Sequence, residues 1–260
     1  MCLIIFAHKA KCGFPLILAA NRDEFFSRPT QQAAFWKLGD NQTSILAGKD
    51  LLAGGTWLGL SNSGHFSAVT NISDQSSEQA PRSRGELPLD FLESGASAED
   101  YARSIPGKFQ QYAGFNLLLG DENNMYYLNN RENLVYELKP GIYGLSNGLI
   151  NSAWPKVNRG RKELFLLMQN SNSLNTDELI NMMNHRELPT DENLADTGVY
   201  PESGAALSSA FILNTNRGYG TMCTTAIIAS KEGEFWFSEQ NYNDDGIKAE
   251  RHCYKFSKSA

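Results

Sequence analysis

Two apolar runs stand close together at the start of the chain, and they constrain the fold more than any other feature. The first is CLIIFAH at residues 2–8, and the second is PLILAAN at residues 15–21. The connector between them, KAKCGF, is polar, contains a glycine and has the length of a hairpin loop. The pattern predicts two buried antiparallel strands. The second strand runs directly into the polar sequence NRDE at residues 21–24.

The rest of the chain alternates hairpin groups of short strands with pairs of helices. Strands are predicted at residues 44–50, 55–61, 65–71, 114–120, 125–130, 134–139, 142–147, 207–213, 221–230, 234–242 and 252–257, and helices at 86–95, 97–105, 154–170 and 175–187. Ser97 and Asn175 are N-cap residue types with an acidic residue three positions later. The arrangement predicts an α+β fold with antiparallel sheets. No repeat or linker divides the chain, so we expect one domain over residues 1–260.

The charge balance excludes several classes of partner. The 260 residues include 23 Lys and Arg against 29 Asp and Glu, which gives a net charge of −6. A chain of this kind, without basic runs, is a poor candidate for binding nucleic acid or an anionic membrane. No apolar run approaches the roughly 20 residues of a transmembrane segment, and the start of the chain lacks the features of a signal peptide. We therefore expect a cytoplasmic protein, whose oligomeric state is left open.

Cysteines and histidines give no metal pattern. The four cysteines stand at positions 2, 12, 223 and 253, and the four histidines are scattered without HxH or HExxH. We therefore predict no metal site, and we expect free thiols in a reducing cytoplasm.

The first hairpin brings a thiol to the NRDE sequence. With residues 9–14 as the connector, Cys2 lies opposite Asn21, and Asn21 and Asp23 share the face of Cys2 while Arg22 points away. A register shifted by one residue instead places Arg22 beside Cys2. In either register the thiol meets this polar cluster.

Position 2 allows a particular chemistry. Cysteine is small enough for Met1 to be removed, which leaves Cys2 with a free amine, of unperturbed pKa about 7.7–8.0, beside a thiol of about 8.5. The neutral amine can then act as the base for the thiol nucleophile. Asp23 could orient the amine, and Arg22 or Asn21 could bind an anionic group. The alternative is that Cys2 is a small buried hydrophobic residue and that NRDE is a strand end and turn.

Segments across the chain resemble one protein family. They are MCLIIF (1–6), ANRDEFFSRPT (20–30), AGKDLLAGGTWLGLS (47–61), TN (70–71), RSRGELPLDFL (82–92), GFNLLLGD (114–121), YGLSNGLINSAWPKV (143–157) and LSSAFI with YGTMCTTAII (207–212 and 219–228). On these motifs the chain is similar to the NRDE family, the Transport and Golgi organisation 2 proteins. That family in turn resembles N-terminal nucleophile hydrolases of the bile-salt hydrolase and penicillin V acylase type. The resemblance implies a four-layer αββα sandwich with two antiparallel sheets.

The resemblance also implies roles for individual residues. Cys2 matches the nucleophile, and Asn21-Arg22-Asp23 resembles the family's Asn-x-Asp element, in which Asp23 matches the residue that orients Cys2 and Asn21 supports it. Asn71 and Asn147 match the amides that donate to a developing oxyanion.

Three positions depart from the hydrolase pattern. Ala20 and Ala210 stand near the places where the related acylases carry arginine, and Met222 stands where relatives often carry it. We expect Arg22 to replace the missing guanidinium, or the hydrolase activity to be lost.

The sequence therefore leaves two functions open. The first, which the family resemblance favours, is the intracellular trafficking of an amphipathic small-molecule ligand, with haem as the first candidate and acyl-CoA or a related lipid as the second. The second is a Cys2-dependent amidohydrolase or acyltransferase acting on a small C–N amide bond, which requires no cofactor. The first predicts reversible binding, and the second predicts an acyl intermediate on Cys2.

Overall fold

The described part of the chain consists of two compact units. The computed structural model describes residues 2–37, 44–72, 80–170, 174–187 and 209–259. The first unit combines residues 1–27 with residues 140–256, and the second unit combines residues 28–139 with residues 257–260. The expectation of one domain over residues 1–260 stays a prediction.

Strands and short helices make up both units. The strands are β1 (Cys2–Lys11), β2 (Phe14–Phe25), β3 (Thr30–Lys37), β4 (Ser44–Asp50), β5 (Leu58–Ser61), β6 (Phe66–Asn71), β7 (Phe115–Gly120), β8 (Met125–Asn129), β9 (Leu134–Glu137), β10 (Gly141–Leu145), β11 (Leu213–Asn214), β12 (Tyr219–Ala229), β13 (Glu234–Tyr242) and β14 (Lys248–Ser257). The helices are α1 (Glu86–Ser94), α2 (Ala98–Ser104), α3 (Pro155–Asn170) and α4 (Thr176–Met182), with 3₁₀ helices at Ile105–Gln111 and Thr215–Arg217. Among the described residues, no helix has the length and apolar character needed to cross a membrane.

The first unit is built on a seven-stranded sheet. Its strand order is β10-β1-β2-β12-β13-β14, and β11 pairs with β12. β1 is antiparallel to β10 and β2, and β12 is antiparallel to β2 and β13. Helix α3 packs on β1 and β10, while α4 packs on β2, β12 and β13. The core between the helices and one face of the sheet includes Leu3, Ile5, Ala7, Ile17, Ala19, Val157, Leu164, Leu179, Ile180, Ala226 and Ile228.

Two glycines bring α3 close to this sheet. A Cβ atom at Gly160 would lie 2.6 Å from Cγ1 of Ile5, and a Cβ atom at Gly144 would lie 2.7 Å from Cγ1 of Val157. Larger residues would push the helix outward, because close-packed interiors leave no room for an added methyl group. The glycines therefore fix the position of the first turns of α3 relative to β1.

The second unit is a seven-stranded antiparallel sheet whose strands follow the chain order from β3 to β9. Helix α1 packs on β5, β6 and β7, and α2 packs on β7 and β8. Its core includes Ile45, Val69, Leu87, Phe91, Ile105, Phe109, Phe115, Leu117, Leu119 and Leu128. Each unit therefore has a hydrophobic core of its own between helices and sheet.

The α+β class with two antiparallel sheets is confirmed, and so are the four helices. Ser97 Oγ accepts from the N–H of Asp100 at 3.1 Å, and Asn175 Oδ1 accepts from the N–H of Glu178 at 3.0 Å, as the capping pattern predicts. Strand β3 was not predicted. The predicted strand 207–213 is wrong over residues 209–212, which are not in a strand. Its last residue, Leu213, is in β11. Residues 207–208 lie outside the described residues.

The preferred register of the first hairpin is wrong, and the shifted register is the observed one. Cys2 lies opposite Arg22, and Leu3 lies opposite Asn21. The strands continue through the expected connector to a tight turn at residues 12–13, and the pairing shifts between His8 and Lys11. A bulge of this kind adds one residue to one strand. The extra residue moves every earlier pair by one position, which the sequence pattern does not reveal.

Candidate functional site

Three adjacent strands place two thiols and a guanidinium in one row. Cys2 on β1 lies opposite Arg22 on β2, which lies opposite Cys223 on β12. Directly opposed residues of antiparallel strands have their side chains on the same face. The helices cover the other face, because Leu3 and Ile5 belong to the core that α3 and α4 share. The structure therefore places Arg22 next to Cys2 on the face away from the helices.

Arg22 is the guanidinium that the hairpin register brings to Cys2. It is only 6% exposed, and its Nη1 donates to Sδ of Met222 at 3.4 Å. Met222 lies at an irregularity of β12, between the residues that pair with Asp23 and Arg22. Arg22 thus contacts Met222, one of the positions at which the family resemblance predicts an arginine.

Asp23 acts on Cys2 both through the charge of its carboxylate and through its main chain. The charge raises the pKa of the Cys2 thiol, and the nearby backbone N–H of Asp23 lowers it. Strand alternation turns the Asp23 carboxylate to the helix-covered face, where Oγ1 of Thr221 donates to Oδ1 at 2.7 Å. Oη of Tyr219 donates to the carbonyl oxygen of Asp23 at 3.0 Å. The prediction that Asp23 shares the face of Cys2 is therefore wrong, although the two residues are in contact.

A buried lysine completes this cluster. Lys156 lies in the first turn of α3 and is 3% exposed. Its ammonium interacts electrostatically with Asp23 and with Cys2, and its Nζ lies 5.7 Å from the ring centroid of Trp154. Lysine is rarely buried to this extent without compensating interactions. The first unit thus brings one thiol, one carboxylate and two cations to the same end of β1 and β2.

Burial and charge act against each other in this cluster. Burial raises the pKa of the Cys2 thiol, Asp23 raises it further, and Arg22 lowers it. Burial also raises the pKa of Asp23, while Lys156 and the hydrogen bond from Thr221 lower it. Burial lowers the pKa of Lys156, and the charges of Asp23 and Cys2 raise it. Burial therefore favours the neutral form of each group, whereas the opposite charges favour the ionised forms.

Cys2 as a whole residue is partly exposed, whereas the neighbouring Asp23 and Lys156 are almost fully buried.

Asn21 has a different position from the predicted one. Its Nδ2 donates to the carbonyl oxygens of Met183 at 3.0 Å and Ala210 at 2.8 Å, and its Oδ1 accepts from Oγ1 of Thr224 at 2.6 Å. These bonds tie the end of α4 and the segment before β11 to the sheet. Because two donors and the acceptor of the amide are engaged on the helix-covered face, Asn21 is an anchor of the fold rather than a neighbour of the thiol.

Asn147 is brought to the Cys2 end of the sheet. It follows β10, the neighbour of β1, and it is 1% exposed. Oγ of Ser146 donates to the carbonyl oxygen of Cys2 at 2.8 Å and lies 3.3 Å from Oδ1 of Asn147. The hydroxyl of Ser146 therefore links the main chain of Cys2 to the amide of Asn147.

Asn71 belongs to the second unit. It is the last residue of β6, is exposed, and lies opposite Phe115 of β7. Its predicted role as an oxyanion donor to chemistry at Cys2 stays a prediction.

The sequence interpretation did not single out Lys156, Thr221 or Tyr219. A signal for Lys156 was present, because positions 156, 160, 164 and 168 form one stripe of α3 and all four are buried. A lysine on the apolar stripe of an amphipathic helix indicates a buried charge with a specific partner. Thr221 and Tyr219 left no comparable signal, since strand residues of these types are common.

No cluster of three or more His, Cys, Asp or Glu side chains with suitable geometry occurs among the described residues.

Comparisons with known proteins identify the family. The family model described as Transport and Golgi organisation 2 matches residues 1–244. The chain is 35% identical over 278 residues to the Transport and Golgi organization protein 2 homolog of Homo sapiens, and 34% identical over 277 residues to that of Mus musculus, with 99% of both chains covered in each case. It is 27% identical over 265 residues to the Drosophila melanogaster protein, with 92% of both chains covered.

Solved structures agree with the predicted fold type. A conjugated bile acid hydrolase from Clostridium perfringens matches with a TM-score of 0.53 and 12% identity, over 100% of this chain and 98% of that one. An N-acylethanolamine-hydrolyzing acid amidase from Caenorhabditis elegans matches with a TM-score of 0.51 and 12% identity, over 87% of this chain and 92% of that one. These likenesses show an N-terminal nucleophile hydrolase-like fold, as predicted. Together with the match over residues 1–244, the sequence relatives show that the chain belongs to the Transport and Golgi organisation 2 family.

Proposed function

We propose that the Cys2 end of the first unit binds an amphipathic small molecule with an anionic group and hands it on inside the cell. The observation that carries this proposal is the row formed by Cys2 and the buried Arg22. A guanidinium presents a planar set of donors that matches a carboxylate or a phosphate, and burial strengthens the interaction. The family's name, which refers to transport, supports a role in moving a ligand.

Haem is our first candidate ligand, and acyl-CoA or a related lipid is the second. Haem has an apolar macrocycle and two carboxylates, and Arg22 would attract one of these carboxylates. The sulfur of Cys2 is the candidate iron ligand, since His8 lies six residues further along β1, a distance of about 20 Å. An acyl-CoA would instead present a phosphate to Arg22.

A haem titration followed by absorbance tests this proposal. We expect Arg22→Gln to weaken haem binding by about tenfold, because one charge-assisted hydrogen bond is lost. Arg217→Gln is the matched control, since Arg217 is an exposed arginine of the same unit, and it should bind haem as the wild type does. Displacement of haem by a long-chain acyl-CoA would indicate a shared site. Equal binding by both variants would refute the role of Arg22.

The second candidate function is acyl transfer on Cys2, as in an amidohydrolase or acyltransferase. The contact between the Cys2 sulfur and the backbone N–H of Asp23 favours it. After removal of Met1, the amine of Cys2 takes the thiol proton while the sulfur attacks the amide carbonyl. The C–N bond then breaks, the leaving nitrogen takes that proton, and a thioester remains. Water or another nucleophile breaks the C–S bond and restores the thiol.

This chemistry assigns roles to the residues of the cluster. Asn147 is proposed as an oxyanion donor, Arg22 would hold an anionic part of the substrate, and Asp23 would position Cys2. No cofactor is required for these steps.

Intact-mass measurement after incubation with an electrophilic acyl probe tests the second candidate. The wild type and Cys12→Ser should each gain one acyl mass on Cys2, whereas Cys2→Ser should gain none there. Cys12 is a suitable control because it is an exposed thiol in the turn of the same hairpin. Retention of Met1 in the purified protein would exclude the mechanism, because the amine would then not belong to Cys2.

A further inference from the structure

Lys156 is a buried cation that neither the family motif nor the sequence pattern assigns to a role. It is 3% exposed, although it stands in the first turn of a helix, where a lysine side chain can usually reach solvent. The carboxylate of Asp23, 2% exposed, is one of the charges that act on it, and the thiol of Cys2 is the other.

The packing of α3 fixes where this ammonium lies. Gly160 follows Lys156 by about one helical turn, and a Cβ atom there would lie 2.6 Å from Cγ1 of Ile5. Ile5 is on β1, three residues after Cys2. The same helix face that holds α3 against β1 therefore carries Lys156 toward the start of the strand.

We propose that Lys156 is a positioning residue for Cys2, whose ammonium neutralises the Asp23 carboxylate and stabilises the Cys2 thiolate. This inference rests on the second candidate function, in which Cys2 is a nucleophile. It differs from the role given to Arg22, because Arg22 approaches Cys2 on the face away from the helices, whereas Lys156 comes from the helix-covered face.

The charges around the cluster predict how removal of Lys156 changes the ionisation of Cys2 and Asp23. Burial and Asp23 oppose the thiolate of Cys2, and Arg22 favours it. Burial and Glu24 oppose the carboxylate of Asp23, and Lys156 favours it. Tyr219 and Cys223, both on β12, also interact with Cys2. Loss of the ammonium removes one of the cations, so the carboxylate and the thiolate should both form at higher pH.

Alkylation of Cys2 by iodoacetamide measures this effect directly. The thiolate attacks carbon and iodide leaves, so the rate follows the thiolate fraction. Mass spectrometry of the peptide that contains Cys2 separates it from the other cysteines. The rate would be measured from pH 6 to pH 10 for the wild type, Lys156→Met, Lys156→Arg and the control Lys162→Met, which removes an exposed lysine of the same helix.

We expect Lys156→Met to move the pH midpoint upward by about one unit, which makes alkylation near pH 7.5 about tenfold slower. Lys156→Arg keeps the charge and should keep most of the wild-type profile, and Lys162→Met should match the wild type. A purely structural lysine would not produce this pattern, because the arginine variant would then disturb the site as much as the methionine variant.

Two results would overturn the proposal. One is a folded Lys156→Met protein with the wild-type profile, and the other is a folded Lys156→Arg protein whose midpoint moves as far as that of Lys156→Met. If Lys156→Met does not fold, Lys156→Gln takes its place. If neither variant folds, the alkylation profile of Lys156→Arg decides alone. A wild-type midpoint in Lys156→Arg then supports the proposal, and a shifted midpoint refutes it.

The acyl probe separates this proposal from the function on which it rests. If the wild type forms no acyl adduct at Cys2, the second candidate function fails, whatever the alkylation profile of Lys156→Met. If the adduct forms and Lys156→Met leaves the alkylation profile unchanged, the role of Lys156 fails alone.

Discussion

The two units bury polar side chains on their central strands in different ways. In the second unit, Nδ2 of Asn116 donates to Oγ1 of Thr70 at 3.1 Å, and its Oδ1 accepts from Oη of Tyr127 and Nδ2 of Asn129, both at 2.7 Å. All four side chains are at most 1% exposed and carry no charge at neutral pH. They satisfy one another at the centre of the sheet.

The first unit instead buries ionisable groups. Arg22, Asp23 and Lys156 are each at most 6% exposed, and they surround Cys2, which is partly exposed as a residue. A neutral network whose hydrogen bonds are all satisfied mainly helps to specify the fold. Burying ionisable groups costs desolvation free energy, so such a cluster is not explained by a gain in folding stability. Clusters of this kind are typical of functional sites. The comparison supports the proposed site in the first unit and indicates a structural role for the Asn116 network.

The largest effect should come from separating Asp23 and Lys156. Asp23→Asn leaves a buried ammonium without its carboxylate, and Lys156→Met leaves a buried carboxylate without its ammonium. Each should lower the free energy of unfolding by about 3 kcal/mol. The double variant should cost clearly less than the sum, with a coupling of about 2 kcal/mol. Urea unfolding of the four proteins gives these values, and additive losses would show that the two charges do not stabilise each other.

The neutral network should give a smaller loss that is independent of charge. Asn116→Ala removes one partner each from Thr70, Tyr127 and Asn129, so we expect a loss of about 2 kcal/mol. The loss should be the same at pH 6 and pH 8, and the rate of Cys2 alkylation should not change. A pH-dependent loss, or slower alkylation in a folded variant, would contradict the division of roles between the units.

The sequence could predict those parts of the fold that depend on local patterns. The helix caps at Ser97 and Asn175, the strand-rich blocks and the antiparallel sheets all follow from residue type and spacing. The register of the first hairpin could not be predicted, because the bulge between His8 and Lys11 changes the pairing and a continuous apolar run has no alternation that would fix it. The segment 209–212 was predicted as a strand, but its Ala210 carbonyl accepts from Asn21 instead of from a neighbouring strand.

The site was predictable only in part, for a related reason. Cys2, Arg22 and Asp23 are close in sequence or joined by one hairpin, so local reasoning could bring them together. Lys156 comes from a helix more than 130 residues later, and its position depends on the close contact of Gly160 with Ile5. A contact of this kind results from tertiary packing, which no local pattern encodes.

The thiols of the first unit should make stability depend on pH. Burial, together with Glu239, raises the pKa of Cys223. Above the ordinary thiol pKa of about 8.5, the unfolded chain loses this proton while the folded chain keeps it. The unfolded state then binds fewer protons, so stability falls as pH rises.

The contribution of Cys223 to this pH dependence can be measured by substitution. Between pH 9 and pH 10, the free energy of unfolding of Cys223→Ala should fall less steeply with pH than that of the wild type, by about 1.4 kcal/mol per pH unit. Cys12→Ala, which removes an exposed thiol of the same unit, should leave the slope as it is. Equal slopes for the wild type and Cys223→Ala would mean that this thiol does not keep its proton in the folded protein.

The smallest effects should come from the two helix caps, one in each unit. Ser97→Ala in the second unit and Asn175→Ala in the first unit each remove one side-chain acceptor for a backbone N–H, at a cost of about 1 kcal/mol. Hydrogen exchange of the amides of α2 and α4 would show each loss in its own helix. Because both caps are neutral and both helices are seven residues long, the two losses should be alike and should not vary between pH 6 and pH 8. If the Asn175→Ala loss instead varied with pH, charges in the first unit would act on α4 as well, and the contrast between the units would extend beyond the surroundings of Cys2.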